Sequence, residues 1–311
     1  MKSSIKFEEK VRQTFRALWD LGHGEACADI VDGFERDSIF NDGEITHYAE
    51  MTTDGKTKKI RDDSEKMLRY REAAVKIGAL VKLWYVTKDP PLGDQVKFCR
   101  ERGIKIVSLK ELQRLLVDGP EYIKLRPQQR FGSAVDPRTD RTDLNGVIYQ
   151  PTEIRVLGSR EKLEGIGKIA QLLNEKKIVV ILGDYGMGKS ITLHKVHQEL
   201  AADFLRNDAF GSLPVAINLR ECWGLETPTE MLHRHVRSLG LKGAEKIVKA
   251  FNAGLLIPLL DGFDEITSEV NWISHTHEPG EPIAGALRVN KRLQNIRRHA
   301  ASLIREVIDY R

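Results

Sequence analysis

"KKIVVILGDYGMGKS", residues 176–190, decides the reading of this chain. It begins as a short apolar run rich in β-branched residues, which predicts a buried parallel strand. It then turns through Gly183, Gly186 and Gly188 to Lys189 and Ser190, matching G-x-x-x-x-G-K-[ST] at every fixed position. "SITLHKVHQELAADFL", residues 190–205, follows with apolar residues at helical spacing. Strand, glycine loop and helix is the order a phosphate cradle needs. Glycines let backbone N–H groups turn inward around phosphate oxygens, and the helix N-terminus adds its positive dipole end. Lys189 reaches the β- and γ-phosphates, and the Ser190 hydroxyl sits on Mg²⁺. The expected nucleotide-binding set is Gly183, Gly186, Gly188, Lys189, Ser190, Ile191 and Asp261.

Asp261 comes from a second element, "LLIPLLDGFDEI", residues 255–266, an apolar strand ending in acids. It closes that strand, where it would hold Mg²⁺ through water. Asp264 and Glu265 lie just beyond, placed for a carboxylate to orient an attacking water. A third strand, "LPVAINLREC" (213–222), falls between the two motifs. Two helices follow it, "TPTEMLHRHVRSLG" and "AEKIVKAFNAG", the latter stopping at Gly254. The alternation predicts α/β architecture, a parallel sheet flanked by helices.

The D-G-x-D-E form of the acidic motif (Asp261, Gly262, Asp264, Glu265) resembles the NACHT group of STAND ATPases. "LPVAINLREC" resembles that group's companion strand, and "VIYQPTEIRVL", residues 147–157, its lead-in. The resemblance spans residues 147–311. It implies a P-loop NTPase that binds ATP and Mg²⁺ and self-associates as a nucleotide-gated switch. In the wider family a further strand with a polar sensor residue follows. Here the sequence runs through the helical stretch "VNKRLQNIRRHAASLIREVIDYR", residues 289–311, so the expectation is a piece of a longer protein, its P-loop sheet lacking that strand.

Residues 1–120 have a different rhythm. "FEEKVRQTFRALWDLG" is an amphipathic helix with Phe7, Val11, Phe15 and Leu18 on one face. "ADIVDGFER" and "ITHYAEMTT" read as two strands joined by a turn at "NDGE". A charged helix (56–78), the strand "LVKLWYVT", the helix "GDQVKFCRERG" and the strand "IKIVSL" complete an α-β-β-α-β-α-β order. That order, with its acids, resembles the PD-(D/E)xK restriction-endonuclease-like nucleases of the Mrr type. The resemblance implies a metal pair, with Asp32 as the Asp and Glu50 as the Glu, and a nearby lysine. Two carboxylates on adjacent strands converge on Mg²⁺, which lowers the pKa of bound water and stabilises the phosphate transition state. The position two beyond Glu50 is Thr52, so the lysine is expected from Lys58, with Lys56, Lys59 and Lys66 as alternatives. Asp29 and Asp42 are rivals for the first acid, and Glu8 or Glu9 can add a further carboxylate. "KTKKIR", residues 56–61, is placed to contact DNA phosphates.

Polar, turn-forming residues 126–146 read as the linker, giving domains at 1–120 and 147–311 with 121–146 between them. His194 and His197, spaced i, i+3, are expected on an exposed helix face, and the "HTH" at 275–277 in a loop. The three cysteines form no C-x-x-C pair, and no apolar run approaches the ~18 residues of a membrane span, so a cytoplasmic protein without a membrane partner is expected. The combined resemblance implies an antiphage defence protein: a phage-derived trigger acts through the NTPase, and the nuclease domains cut DNA. The alternative is an inactive nuclease fold used for DNA binding or protein interaction. A motor that translocates along DNA is disfavoured by the D-G-x-D-E signature.

Overall fold

The computed structural model describes residues 2–134 and 150–262, except 23, 32–33, 133, 151–152, 158–161, 164, 176, 185, 207–211, 223 and 226. Asp32, Asp264, Glu265, the 275–277 loop and the 289–311 stretch lie outside the described residues. The chain divides into two units. The first holds Met1–Asp118 together with Lys249–Leu255. The second holds Gly119–Arg206, Ser212–Val248 and the strand that follows Leu255.

Unit 1 runs α1 (Lys2–Trp19), β1 (Cys27–Val31), β2 (Phe34–Asn41), β3 (Ile45–Thr52), α2 (Thr57–Lys76), β4 (Leu80–Thr87), α3 (Gly93–Glu101), β5 (Ile104–Ser108) and α4 (Leu109–Arg114). The five strands form one sheet in sequence order; β1 to β3 are an antiparallel meander, and β4 and β5 add in parallel. This corrects the expected element order. The stretch read as one strand, 28–36, is divided between β1, which ends at Val31, and β2, in which "FERDSIFN" forms a strand of its own. Along β3, alternate residues serve opposite faces. Ala49 and Met51 join Phe7, Val11 and Phe15 of α1 and Leu109 and Leu112 of α4, with Trp84 and Val86 of β4. Tyr48 joins Ile60 and Met67 of α2 and Tyr85 of β4 on the other face. The even-numbered side chains of β3 therefore point at α2.

Unit 2 runs α5 (Gly119–Leu125), a 3-10 turn at Arg126–Gln128, β6 (Ile154–Arg155), β7 (Lys162–Leu163), α6 (Gly165–Asn174), α7 (Lys189–Arg206), β8 (Leu213–Asn218), α8 (Pro228–Ser238), α9 (Ala244–Asn252, its last residues belonging to unit 1) and β9 (Leu256–Asp261). β8 and β9 pair in parallel from Leu213–Leu256 to Asn218–Asp261. Thr227 starts α8 with a capping box, its hydroxyl accepting from the Glu230 N–H. The core is built from Phe131, Ile169, Leu173, Val196, Leu200, Ala216, Ile257 and Leu259. Among the described residues no helix is long and apolar enough to cross a membrane.

Three expectations change here. The run 177–182 is not assigned as a strand and has no strand partner among the described residues. Val179 and Ile181 pack on the core, whereas Ile178, Val180 and Leu182 are 53%, 72% and 71% exposed. Composition predicts a strand buried on both faces; among the described residues only one face packs on the core. Residues 121–134, read as linker, are instead helical to Gln128 and end on a buried Phe131. His194 and His197 are buried, each 1% exposed, because this segment covers them: the Phe131 ring lies 4.6 Å and 5.6 Å from their imidazoles.

Burial lowers the pKa of His197 to about 3, helped by the nearby Arg126 charge, and burial does the same for His235 on α8. Both are neutral in the folded unit. Once unfolded they bind protons below their ordinary pKa of about 6.5, so stability is full above that pH and declines as pH falls toward 3. At pH 5 each histidine is expected to cost about 2 kcal/mol. Intrinsic-rate-corrected amide exchange of β8 should accelerate from pH 6.5 to 5, and His197→Leu should remove about half of that acid sensitivity. An unchanged sensitivity would show that these neutral histidines are not its cause.

Candidate functional site

In unit 2, Gly186 and Gly188 both hold φ of +80°, the left-handed region that a side chain disfavours. The chain thereby turns into α7, which begins at Lys189. The Lys189 ammonium donates to the carbonyls of Gly183 (2.9 Å) and Asp184 (3.1 Å), tying the loop across its mouth. The Thr192 N–H closes the first turn on the Gly188 carbonyl at 2.8 Å, with Ile191 half-buried beside it. Asp261 ends β9, one strand over from Asn218. Ser190 and Asp261 converge: a point one bond from the Gly132 Cα lies 2.6 Å from the Ser190 Oγ and 2.5 Å from Asp261 Oδ2. A hydroxyl and a carboxylate that close to one point are a hard-oxygen pair suited to Mg²⁺. The structure thus brings Ser190 and Asp261 to one place beside the turn at Gly186 and Gly188.

Unit 1 holds a polar cleft of about 390 Å³ lined by Ser4, Glu8, Asp37, Glu50, Met51, Thr52, Thr53, Lys59, Asp63 and Lys66. β2 and β3 pair Ser38 with Ala49, so Asp37 comes opposite Glu50 one step further along the register. Asp37 Oδ2 accepts the Met51 N–H at 2.7 Å, fixing its carboxylate beside β3. β4 sets Tyr85 beside Glu50, and the Tyr85 hydroxyl donates to Asp63 Oδ2 at 2.8 Å. Asp63 Oδ1 accepts from the Lys66 ammonium at 3.3 Å. The Tyr48 hydroxyl donates to Glu50 Oε1, and Arg36 Nη1 stands 3.4 Å behind that hydroxyl.

Burial is the main cause that lifts the Glu50 pKa to about 7; Asp37 and Asp63 add repulsion, against the Tyr48 hydrogen bond and Lys66. Asp37 is also raised, mainly by burial and by Glu8, against the Met51 N–H and Arg12. Two carboxylates resisting ionisation at one cleft are groups that a cation would relieve. Among the described residues no three His, Cys, Asp or Glu side chains are placed to hold a metal ion. A divalent ion bound at Asp37 and Glu50 would have two protein carboxylates and would need water for the rest of its shell.

Of the residues expected from sequence, Glu50 is in this cleft. Lys58 is exposed and does not line it; Lys59 and Lys66 do, because one helical step on α2 separates the outer face from the inner. Asp29 is exposed and accepts the Ile30 N–H. Asp42 belongs to the hairpin turn, where the Ile45 N–H and His47 hold its pKa down at about 2. Glu8 faces the cleft, while Glu9 pairs with Arg12 and Arg16. Asp37, Tyr48, Asp63 and Tyr85 were not singled out by sequence. Asp37 was detectable only through the hairpin register, because it sits as far before the turn as Glu50 sits after it.

Residues 177–307 match the NACHT domain. The match supports a NACHT-type NTPase, and with it nucleotide binding, for this part of the chain. No curated protein and no solved structure matches the chain.

The raised Glu50 pKa has a consequence for stability. Its folded value, about 7, exceeds its ordinary 4.5, so stability is fullest below pH 4.5 and is lost as pH rises through 7. Glu50→Gln keeps an oxygen for Tyr48 and removes the buried charge. At pH 8 it is expected to stabilise unit 1 by about 1–3 kcal/mol, with the gain vanishing near pH 4.5. Amide exchange of β3 measures this, and a destabilised variant at pH 8 contradicts it.

Proposed function

We propose that this chain is a nucleotide-gated switch in which the NTPase of unit 2 controls a metal-dependent DNA endonuclease in unit 1. The observation that carries the second half is the opposition of Asp37 and Glu50 on adjacent strands, with Asp63 and Lys66 of α2 in the same cleft. The meander followed by parallel strands supports the nuclease-like fold. Asp37 takes the place assigned from sequence to Asp32.

In unit 2, Gly183, Gly186 and Gly188 turn backbone donors toward ATP phosphates, and Lys189 exchanges its two loop carbonyls for phosphate oxygens. Ser190 and Asp261 hold Mg²⁺, and Asp264 and Glu265 remain the proposed water-orienting acids. In unit 1, Asp37 and Glu50 bind the cation, with Tyr48 aiming the Glu50 carboxylate. When bound, the cation supplies a Lewis acid and a water of lowered pKa. Lys66, half-exposed on α2, is the amine within reach of a scissile phosphate, and Lys59 adds positive charge at the rim. The wider role we assign is cytoplasmic antiphage defence, with self-association through the NTPase and a phage-derived trigger.

Plasmid cleavage by the full chain in Mg²⁺ or Mn²⁺, with and without ATP, tests this. Wild type is expected to cut, and Glu50→Gln and Asp37→Asn to fall below detection while keeping their fold. Mn²⁺ affinity of unit 1, followed in Lys189→Ala so that nucleotide does not contribute, is expected to rise about tenfold per pH unit up to pH 7 and then level. DNA binding without cleavage under every condition would replace the nuclease with a binding module. That second reading is favoured by Thr52 standing two residues past Glu50, where a lysine is expected.

A further inference from the structure

The segment from Gly119 to Gly132 is fastened to unit 2 at four successive points. The Ala216 N–H on β8 donates to the Tyr122 hydroxyl at 3.0 Å, and that hydroxyl lies 3.0 Å from His235 Nε2. The Arg126 Nε donates to the Ala216 carbonyl at 2.6 Å, so both backbone groups on this edge of β8 are satisfied by side chains of the segment. The Arg126 guanidinium also donates to the carbonyls of Gln129 (3.2 Å) and Arg130 (3.1 Å) and lies 3.8 Å from the Phe131 ring centre. This bends the chain into a hook. Phe131, 1% exposed, then plugs against His194 and His197 of α7, the helix whose first turn carries Lys189 and Ser190.

The hook ends at Gly132, buried and at φ +52°. A Cβ there would stand 2.5 Å from Asp261 Oδ2 and 2.6 Å from Ser190 Oγ. The Gly132 backbone therefore packs directly against both oxygens. Mg²⁺ needs a near-octahedral shell that keeps several waters beside its protein and phosphate ligands. The docked backbone takes up space that this shell needs.

We infer that the Arg126–Gly132 hook is a gate on the divalent-cation position of the nucleotide site: the docked hook competes with the coordination shell of a Mg²⁺ held at Ser190 and Asp261. The inference rests on the nucleotide reading of the P-loop and Asp261. Because the two states compete, Mg²⁺-nucleotide shifts the population toward the released hook, and the docked hook lowers the apparent affinity for Mg²⁺-nucleotide. Release would also expose the Ala216 edge of β8. Glycine is needed at 132 for docking, since any side chain meets both cation ligands.

Hydrogen exchange of the full chain, read by mass spectrometry, tests the gate. Amides 122–132 are expected to exchange about tenfold faster or more with Mg²⁺ and ATP than with ATP in EDTA. Gly132→Ala is expected to show the fast exchange without nucleotide and to bind a fluorescent ATP analogue severalfold more tightly in Mg²⁺, with little change in EDTA. Arg126→Met, which keeps the packing volume, should move both readouts the same way. A hook that merely supports the fold predicts weaker binding in both variants. Wild type that binds Mg²⁺-nucleotide with the hook unmoved or better protected overturns the gate and leaves the nucleotide reading intact. Failure of wild type and Gly132→Ala alike to bind nucleotide overturns both.

Discussion

A guanidinium that is 2% exposed persists only if its hydrogen bonds and its charge are answered inside the protein, and the order of unit 2 follows from how Arg126 meets that demand. Burial lowers its pKa, offset by the nearby Tyr122, Glu221 and Asp261. Three backbone carbonyls and an aromatic face receive the cation. Hydrogen bonds to a charged donor are worth about 1.5–3 kcal/mol each, so they hold the segment firmly. One of the carbonyls belongs to β8, which caps a strand edge; the other two bend the chain and drive Phe131 into the core. Truncating a buried phenylalanine costs about 3–5 kcal/mol, so the bend and the core support each other.

Unit 1 has the opposite economy. Its two cores are apolar and well filled, one on each face of the sheet, but their shared end gathers like charges. Tyr48 and Tyr85 each reach from the core to a carboxylate, and the apolar surroundings and adjacent acids raise both phenol pKa values, keeping the hydroxyls as donors. The layer therefore aims four acids at a cleft where two lysines only partly answer them. Such stored repulsion is common where a site awaits a positively charged ligand.

How much was legible in the sequence follows from how local each signal is. Gly183 to Ser190 could be read directly, because phosphate binding imposes its spacing within one turn of chain. Asp261 could be read because it closes an apolar run. Glu50 was found as an acid at the end of a strand, but its partner Asp37 depends on a cross-strand register, which sequence encodes only through the hairpin turn. The cleft-lining lysine of α2 needed the helix phase against the sheet: of Lys58 and Lys66, only Lys66 lines the cleft. The hook was hidden by composition. Arginine, proline, glutamine and glycine at 126–132 are ordinary linker residues, and nothing local reveals that Arg126 finds its partner at Ala216. His194 and His197 were misplaced for the same reason, since the ring that covers them comes from that segment.

The run Ile178, Val180 and Leu182 leaves a further mark on the molecule's behaviour. Val179 and Ile181 hold one side of the run to the core, while these three side chains are exposed and the run has no ladder partner among the described residues. Apolar side chains alternating in this way are the pattern that an adjoining strand or layer covers, and left uncovered they promote association between chains. Residues 178–182 are therefore where added covering surface would change the solubility of the polypeptide.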